Sequence, residues 1–600
     1  MTESIDGSRF VVGIDLGTTN SALAFLDRAA AEPRIEVLAI PQLVAAGTVE
    51  AHTLLPSALY LPREHEFEVA QRVLPWGDAS GAVVGRFAVA RAADTPEQVV
   101  LSAKSWLSHA AVDRRAPLLP VTAGDGGTRV SPLEAQQAIL AHLRAAWDHE
   151  KAAADPKARL ADQEVVLTVP ASFDAEAREL TLEAARAAGL PDPLLLEEPQ
   201  AAVHAWIEER GDAWRDEVEA GDTLLVCDIG GGTTDFSLVE ATDEDGRLVL
   251  ARVAVGDHLL LGGDNMDLAL AFDVRARLAA EGSKLDARQV QALVAACRAS
   301  KEKLLAVDAP DSLPLVILGR SRKLVGGTIR TDLARADAER LLVDGFFPEV
   351  PGDAAPEAAG SAGLSELGLP FVADAAISRH LAAFLRTHGR DGAKRPRRVL
   401  YNGGVMTAAS LAGRAAEQLA RWAADDGVAP PQRLEAEDLH HAVARGAVAF
   451  GRARHGEGIR IRGGSARSYY LGIASSMPAV PGFAPPVRGL CVVPFGMEEG
   501  TEVAVPGASL GLLVGQTATF RLFASSSRPD DALGAVLDEF ETEELDELSP
   551  LAVRLEGEPG ERSRVSLEVH LTAIGTMEIW CVSEAGERHR LVFGLREAAA

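Results

Sequence analysis

Two short stretches carry residue types that could do chemistry. In "VVGIDLGTTNSALAF" (11–25) and "VCDIGGGTTDFSLVE" (226–240) an apolar run ends in an aspartate, Asp15 or Asp228. Glycine and two threonines follow, and Asn20 or Asp235 then opens a second apolar run. A plain hairpin needs only a two-residue turn. The longer turns, Gly17-Thr18-Thr19-Asn20 and Gly230-Gly231-Gly232-Thr233-Thr234, suit a different task. Glycine lets the backbone come close to a polyphosphate, and successive inward N–H groups form an anion nest. Threonine hydroxyls add donors. Aspartates at strand ends suit Mg²⁺, which keeps most of its waters and takes few carboxylates. The expected arrangement is Asp15 and Asp228 holding a hydrated Mg²⁺ through water while the two turns grip a nucleotide's phosphates. One such turn would be ambiguous, since bulges also use glycine; two matched turns argue for phosphate. No GxxxxGK[ST] occurs, and neither turn leads straight into a helix, so P-loop and Rossmann sites are excluded.

The elements that must position these turns follow from the hydrophobic pattern. "EVVLTVPASFDAEARELTLEAARAAGL" (164–190) reads as a strand broken at Pro170, then a helix capped by Asp174 and stopped at Gly189. Such alternation indicates α/β layers. The strand–turn–strand unit recurs after about two hundred residues, which indicates a duplicated lobe rather than a solenoid. Helical pattern dominates 265–308 and 372–388, and "PEVPGDAAPEAAGSAG" (348–363) reads as a surface loop. After about residue 455, Gly/Pro turns and short alternating runs such as "TATFRLFAS" and "RVSLEVHLTA" indicate an all-β domain. Within it "ALGAVLDEFETEELDEL" (532–548) reads as an acidic insert, helical or flexible.

A chain of 600 residues exceeds what one core can hold. The net charge of −28 argues against a nucleic-acid or anionic-membrane partner, because phosphate surfaces need compensating Lys and Arg. Four scattered cysteines without a CxxC pair fit a reducing compartment. The N-terminus is unlike a secretory leader and no apolar stretch reaches spanning length, so the expectation is a cytoplasmic protein.

Six segments then appear in the order found in DnaK-type heat-shock chaperones: "VVGIDLGTTNSALAF", "VVLTVPASFDAEAR", "LLLEEPQAAVHAW", "CDIGGGTTDFSLVE", "GDHLLLGGDNMD" and "VLYNGGVMTAASL". The chain resembles the heat shock protein 70 family. The resemblance implies an actin-like ATPase of two ribonuclease-H-like lobes over 9–455. Lobe I would take about 9–205 and lobe II about 222–430, with a return helix at 438–454. A linker (456–468) and a C-terminal β-sandwich (469–596) would follow. ATP or ADP with Mg²⁺ would be the cofactor. The catalytic set it implies is Asp15, Glu198, Asp228 and Thr233. Gly262, Gly263, Lys301, Gly403 and Gly404 would line the nucleoside side, and Pro170 and Arg178 would relay nucleotide state to the sandwich. Bland alternatives stand beside three of these readings: Glu198 as a carboxylate favoured at a helix N-terminus, Lys301 as a solvated lysine, and Pro170 with Arg178 as a strand end and a surface residue.

The family pattern also breaks. Anchoring on Val84-Gly85 and Pro96 puts Val89 where the family's catalytic lysine stands; Arg86, Arg91 or Lys104 could substitute. Arg298 replaces a base-contacting glutamate. The linker "GEGIRIRGGSARS" is basic and glycine-rich, with Ile459 and Ile461 its large apolar residues. No helical lid is expected over the sandwich. The implied function is an ATP-dependent chaperone with slow hydrolysis, binding extended or unfolded polypeptide or one dedicated partner, with a J-domain co-chaperone as a candidate. The alternative is a nucleotide-gated adaptor with negligible hydrolysis.

Overall fold

The computed structural model describes residues 8–593 apart from internal stretches, the longest being 318–327, 358–368, 475–486 and 555–561. The first glycine-threonine turn joins β1 (Phe10–Leu16) to β2 (Asn20–Asp27). With β3 (Ile35–Val37), β4 (Glu164–Val169) and β5 (Leu194–Glu197) they form a sheet of order β5-β4-β1-β2-β3, and the short Leu55–Pro56 strand pairs with β2. The second turn joins β6 (Thr223–Ile229) to β7 (Thr234–Glu244). With β8 (Arg247–Val255), β9 (Arg398–Asn402) and β10 (Gln432–Leu434) they form a sheet of order β10-β9-β6-β7-β8. In both sheets a central strand has its antiparallel hairpin partner on one side and a parallel strand on the other. The duplication read from the two turns therefore extends to strand order.

The central strands read as continuous apolar runs because both faces are covered. In β1 every residue but Asp15 is buried, and in β6 every residue but Asp228. The aspartates break the runs where each strand leaves the core. Local chemistry sets the flanking helices. Asp174 accepts from the backbone N–H of Ala177 and caps α3 (Ala175–Ala187), as expected. Pro199 stands in the first turn of α4 (Glu198–Arg210), where its missing N–H is harmless. Helix α5 (Ala442–Arg454) crosses α4 at Gly446, where any side-chain carbon would overlap the carbonyl of Ala201. Small residues at this crossing let two helix backbones nearly touch under the cleft.

Beyond the lobes, two antiparallel sheets share one core. Ser468–Ala474, Val487–Val493, Thr517–Ser525 and Asp546–Arg554 belong to one sheet, Arg562–Leu571, Met577–Ser583 and Arg588–Arg590 to the other. Leu471, Val492 and Leu522 from the first meet Val569, Ile579 and Cys581 from the second. The 532–548 segment departs from the sequence expectation. Val536–Leu537 is a strand paired with Val487–Val493, and Asp546 opens another strand, with 539–544 outside the described residues. Strand pairing overrides the helical bias of its acidic and alanine residues.

These sheets touch the two lobes. Ala175 joins their core, and Arg590 pairs with Glu179 on α3 at 3.1 Å. Ile461, 2% exposed, and the half-buried Ile459 pack into a lobe II cluster containing Trp206, Leu224 and Val239. The two apolar residues of the linker are thus docked. Among the described residues no helix is long and apolar enough to cross a membrane.

Candidate functional site

A cleft of about 550 Å³ lies between the lobes, lined by both glycine-threonine turns. Asp15, Gly17, Thr18, Thr19, Asn20 and Glu198 border it from lobe I. Asp228, Gly230, Gly231, Thr233, Gly263, Lys301, Gly403 and Gly404 border it from lobe II. Three expected contacts do not line it. The Thr234 hydroxyl donates to the carbonyl of Leu261 at 2.7 Å and is fully buried. Gly232 lies against Thr18, where a Cβ would sit 2.5 Å from Cγ2, and Gly262 lies against the second turn, where a Cβ would sit 2.6 Å from the Gly230 oxygen. These residues let the two turns and the 262–263 segment pack closely, a supporting part. Gly403 is held at φ +85, and a Cβ there would lie 2.8 Å from Asp228 Oδ1.

Of the three cations offered in place of the family's lysine, Lys104 is the one that borders the cleft. It lies on the short α2 (Ala103–Leu107), is only 4% exposed, borders the cleft and forms an ion pair with Glu198. Val89 is far from this role: on α1 (Arg86–Ala92) it packs against a cluster of Tyr60, Phe87 and Val99. Arg91 pairs with Glu66 and Asp94 on lobe I, and neither Arg86 nor Arg91 borders the cleft. The "SAKSWL" segment (102–107) sets this lysine on a short helix between Ala103 and Trp106-Leu107, all buried.

Electrostatics define what the cleft wants. Burial pushes the Asp15 carboxyl up to about 7, and the nearby Glu198 charge adds to the rise, while Lys104 opposes it. Burial and then Glu198 push Asp228 up to about 8; the hydrogen bond from Asn402 opposes this. One lysine thus faces three carboxylates, and a divalent cation would bring the group to neutrality. Among the described residues, the carboxylate oxygens of Asp15, Glu198 and Asp228 do not converge within mutual ligating distance. That spread fits an ion that keeps its waters between itself and the protein. Asp15 and Asp228 would hold it in that way.

On the nucleoside side, Lys301 lines the cleft but its ammonium is already engaged within lobe II. It donates to the Gly263 carbonyl at 2.8 Å and pairs with the buried Asp267 at 2.7 Å. Arg298 bridges Asp267 and Asp264 at 2.7 and 2.5 Å. Asp264 also accepts from Ser102 of lobe I at 3.1 Å, a hydrogen bond across the cleft mouth. Neither this bridge nor Asp267 was anticipated, because lone acids on a helix carry no local signal.

Pro170 and Arg178 stand away from the cleft. Pro170 follows the last residue of β4. Arg178 donates to Glu197 at 2.7 Å; Glu197 also pairs with Arg252, which donates to the Gly464 carbonyl ahead of the C-terminal sheets. Arg178 therefore lies on α3 among contacts that reach those sheets, and is not a free surface residue.

Two lobes of matching strand order, closing on paired glycine-threonine turns and a carboxylate-rich cleft, define an actin-like nucleotide-binding fold. Comparison with known proteins narrows the class. The family description "Hsp70 protein" matches residues 77–346. A chaperone protein HscA homolog of Burkholderia pseudomallei (strain 668) is 33% identical over 348 residues, covering 56% of this chain and 47% of that protein. That of Azotobacter vinelandii (strain DJ / ATCC BAA-1303) is 34% identical over 275 residues, covering 44% of this chain and 37% of the relative. The chain spans less than half the length of these curated relatives. Over these residues the chain is similar to the Hsp70 family.

Proposed function

We propose that the chain is an ATP-binding, Mg²⁺-dependent molecular chaperone that hydrolyses ATP slowly and passes the nucleotide state to its C-terminal β domain. The observation that carries this reading is the cluster of Lys104, Glu198, Asp15 and Asp228 between the two turns. Phosphoryl transfer to water depends mainly on positioning and on stabilising developing charge. In this reading the turn N–H groups and the hydroxyl of Thr233 hold the phosphates. Lys104 shifts from Glu198 toward the γ-phosphate, and the freed Glu198 carboxylate orients the attacking water and accepts its proton. The bound Mg²⁺ would neutralise phosphate charge. Lys104 in the cleft weakens one of the two grounds for a non-hydrolysing adaptor, the valine at the family's lysine position; the expected lack of a lid is the other.

The contacts of α3 with the C-terminal sheets, and the docked Ile459 and Ile461, support a relay through Pro170 and Arg178. Extended polypeptide or a dedicated protein is the proposed ligand of those sheets. A J-domain protein is the proposed co-chaperone and the cytoplasm the proposed location; nucleic acid is not expected as a partner. The test is single-turnover ATP hydrolysis with a parallel affinity titration on wild type and Thr233→Ala. Tight binding with hydrolysis lost in the variant supports the reading. Tight binding with no hydrolysis above the variant favours the adaptor, and no nucleotide binding at all overturns both.

A further inference from the structure

Asn402 closes β9 and stands directly opposite Asp228 in the parallel pairing of β9 with β6. Its Nδ2 donates to Asp228 Oδ2 at 2.8 Å. That contact fixes the amide's orientation, since the reverse would set an oxygen against a carboxylate. The residue is 2% exposed and borders the cleft, and its Oδ1 has no hydrogen-bond partner. A buried carbonyl oxygen without a donor is costly, so its retention at the cleft wall points to a donor that arrives with the ligand.

The duplicated architecture supplies the comparison. On β4, the lobe I counterpart of β9, the Thr168 hydroxyl lies 3.4 Å from Asp15 Oδ1 and 3.4 Å from the Ile14 carbonyl. Each cleft aspartate therefore has a hydrogen-bonding neighbour on the adjacent parallel strand. Threonine does this with a single hydroxyl. Asparagine does it with an N–H and leaves an acceptor over, so the two halves of the cleft are not equivalent.

We infer that Asn402 is a positioning residue that locks the Asp228 carboxylate through its amide N–H and accepts, at Oδ1, a hydrogen bond from a water on the hydrated divalent cation accompanying the nucleotide. This rests on the nucleotide reading above. Waters on such a cation turn their hydrogens outward, so they need acceptors around them, and outer-shell acceptors of this kind tune metal affinity. Asp228 alone presents a carboxylate free to rotate; with Asn402 it presents one fixed oxygen beside a second acceptor.

The experiment is calorimetric titration of ATP and ADP into the full chain, with Mg²⁺ and with EDTA, for wild type, Asn402→Leu and Asn402→Thr. The quantity read is the gain in affinity that Mg²⁺ brings. Asn402→Leu is expected to cut that gain by roughly tenfold or more, with metal-free affinities within about threefold of wild type. Asn402→Thr, which keeps a donor for Asp228 but lacks the carbonyl, is expected to fall between. The unliganded melting temperature of Asn402→Leu should change little, because removing the unpartnered Oδ1 at similar volume offsets the lost hydrogen bond to Asp228. A full Mg²⁺ gain in both variants overturns the inference. An equal loss with and without Mg²⁺ also overturns it, assigning Oδ1 to the nucleotide itself. A wild type that binds no nucleotide brings down the nucleotide reading and this inference together.

Discussion

Replacing Lys104 with methionine removes one charge from the cleft while keeping a side chain of similar length. Lys104 is 4% exposed and its ammonium already pairs with Glu198, so the cleft holds it in place before any substrate arrives. A preorganised donor of this kind is worth about 10²–10³-fold in rate, or about 2.7–4 kcal/mol of barrier. Single-turnover hydrolysis by Lys104→Met should therefore fall by about two to three orders of magnitude. Ground-state affinity should change less, about tenfold at most, because the interaction gained with phosphate replaces one lost with Glu198. Lys104 also lowers the Asp15 carboxyl, so its loss should push that group above about 7 and weaken Mg²⁺-nucleotide binding at neutral pH, with recovery toward pH 8.5. The paired control is Val89→Lys, which should leave the rate within about twofold, since Val89 packs in the Tyr60–Phe87 cluster. The reasoning is refuted if Lys104→Met hydrolyses ATP within about threefold of wild type, or if a lysine at 89 restores its rate.

Three further outcomes are expected. Asp15 and Asp228 titrate near 7 and 8 in the fold against an ordinary 3.8, so these two groups progressively favour the unfolded chain as pH rises from about 4 to about 8. Mg²⁺-nucleotide needs them ionised, so the rise in melting temperature it brings should be larger at pH 8.5 than at pH 6, checked by thermal shift at both. Gly403→Ala should destabilise by about 1–3 kcal/mol and abolish tight nucleotide binding, because φ +85 and the 2.8 Å approach to Asp228 exclude a Cβ; denaturant unfolding and titration check it. Arg178→Ala should keep ATP affinity but abolish any nucleotide-dependent change in proteolysis of the 456–468 linker, because Glu197 then loses one of the two arginines that join α3 to the C-terminal side. A preserved digestion pattern would exclude Arg178 from the relay.

The amino-acid sequence by itself determined the two glycine-threonine turns, their aspartates and the duplication, because each is written in a dozen contiguous residues. An apolar strand, a glycine run and a second strand form a hairpin wherever they stand in the chain. The same holds for the Asp174 cap and the β texture after residue 455. What only the tertiary structure decided was which distant groups share the cleft. Lys104 and Glu198 are separated by 94 positions, and Asn402 and Asp228 by 174. Their meeting depends on helix packing and on the register of a parallel strand pair, neither of which leaves a periodic trace. The same cause separates Thr233, which lines the cleft, from Thr234, whose hydroxyl turns back to Leu261. Side chains alternate along an extended backbone, so adjacent identical residues point to opposite surroundings.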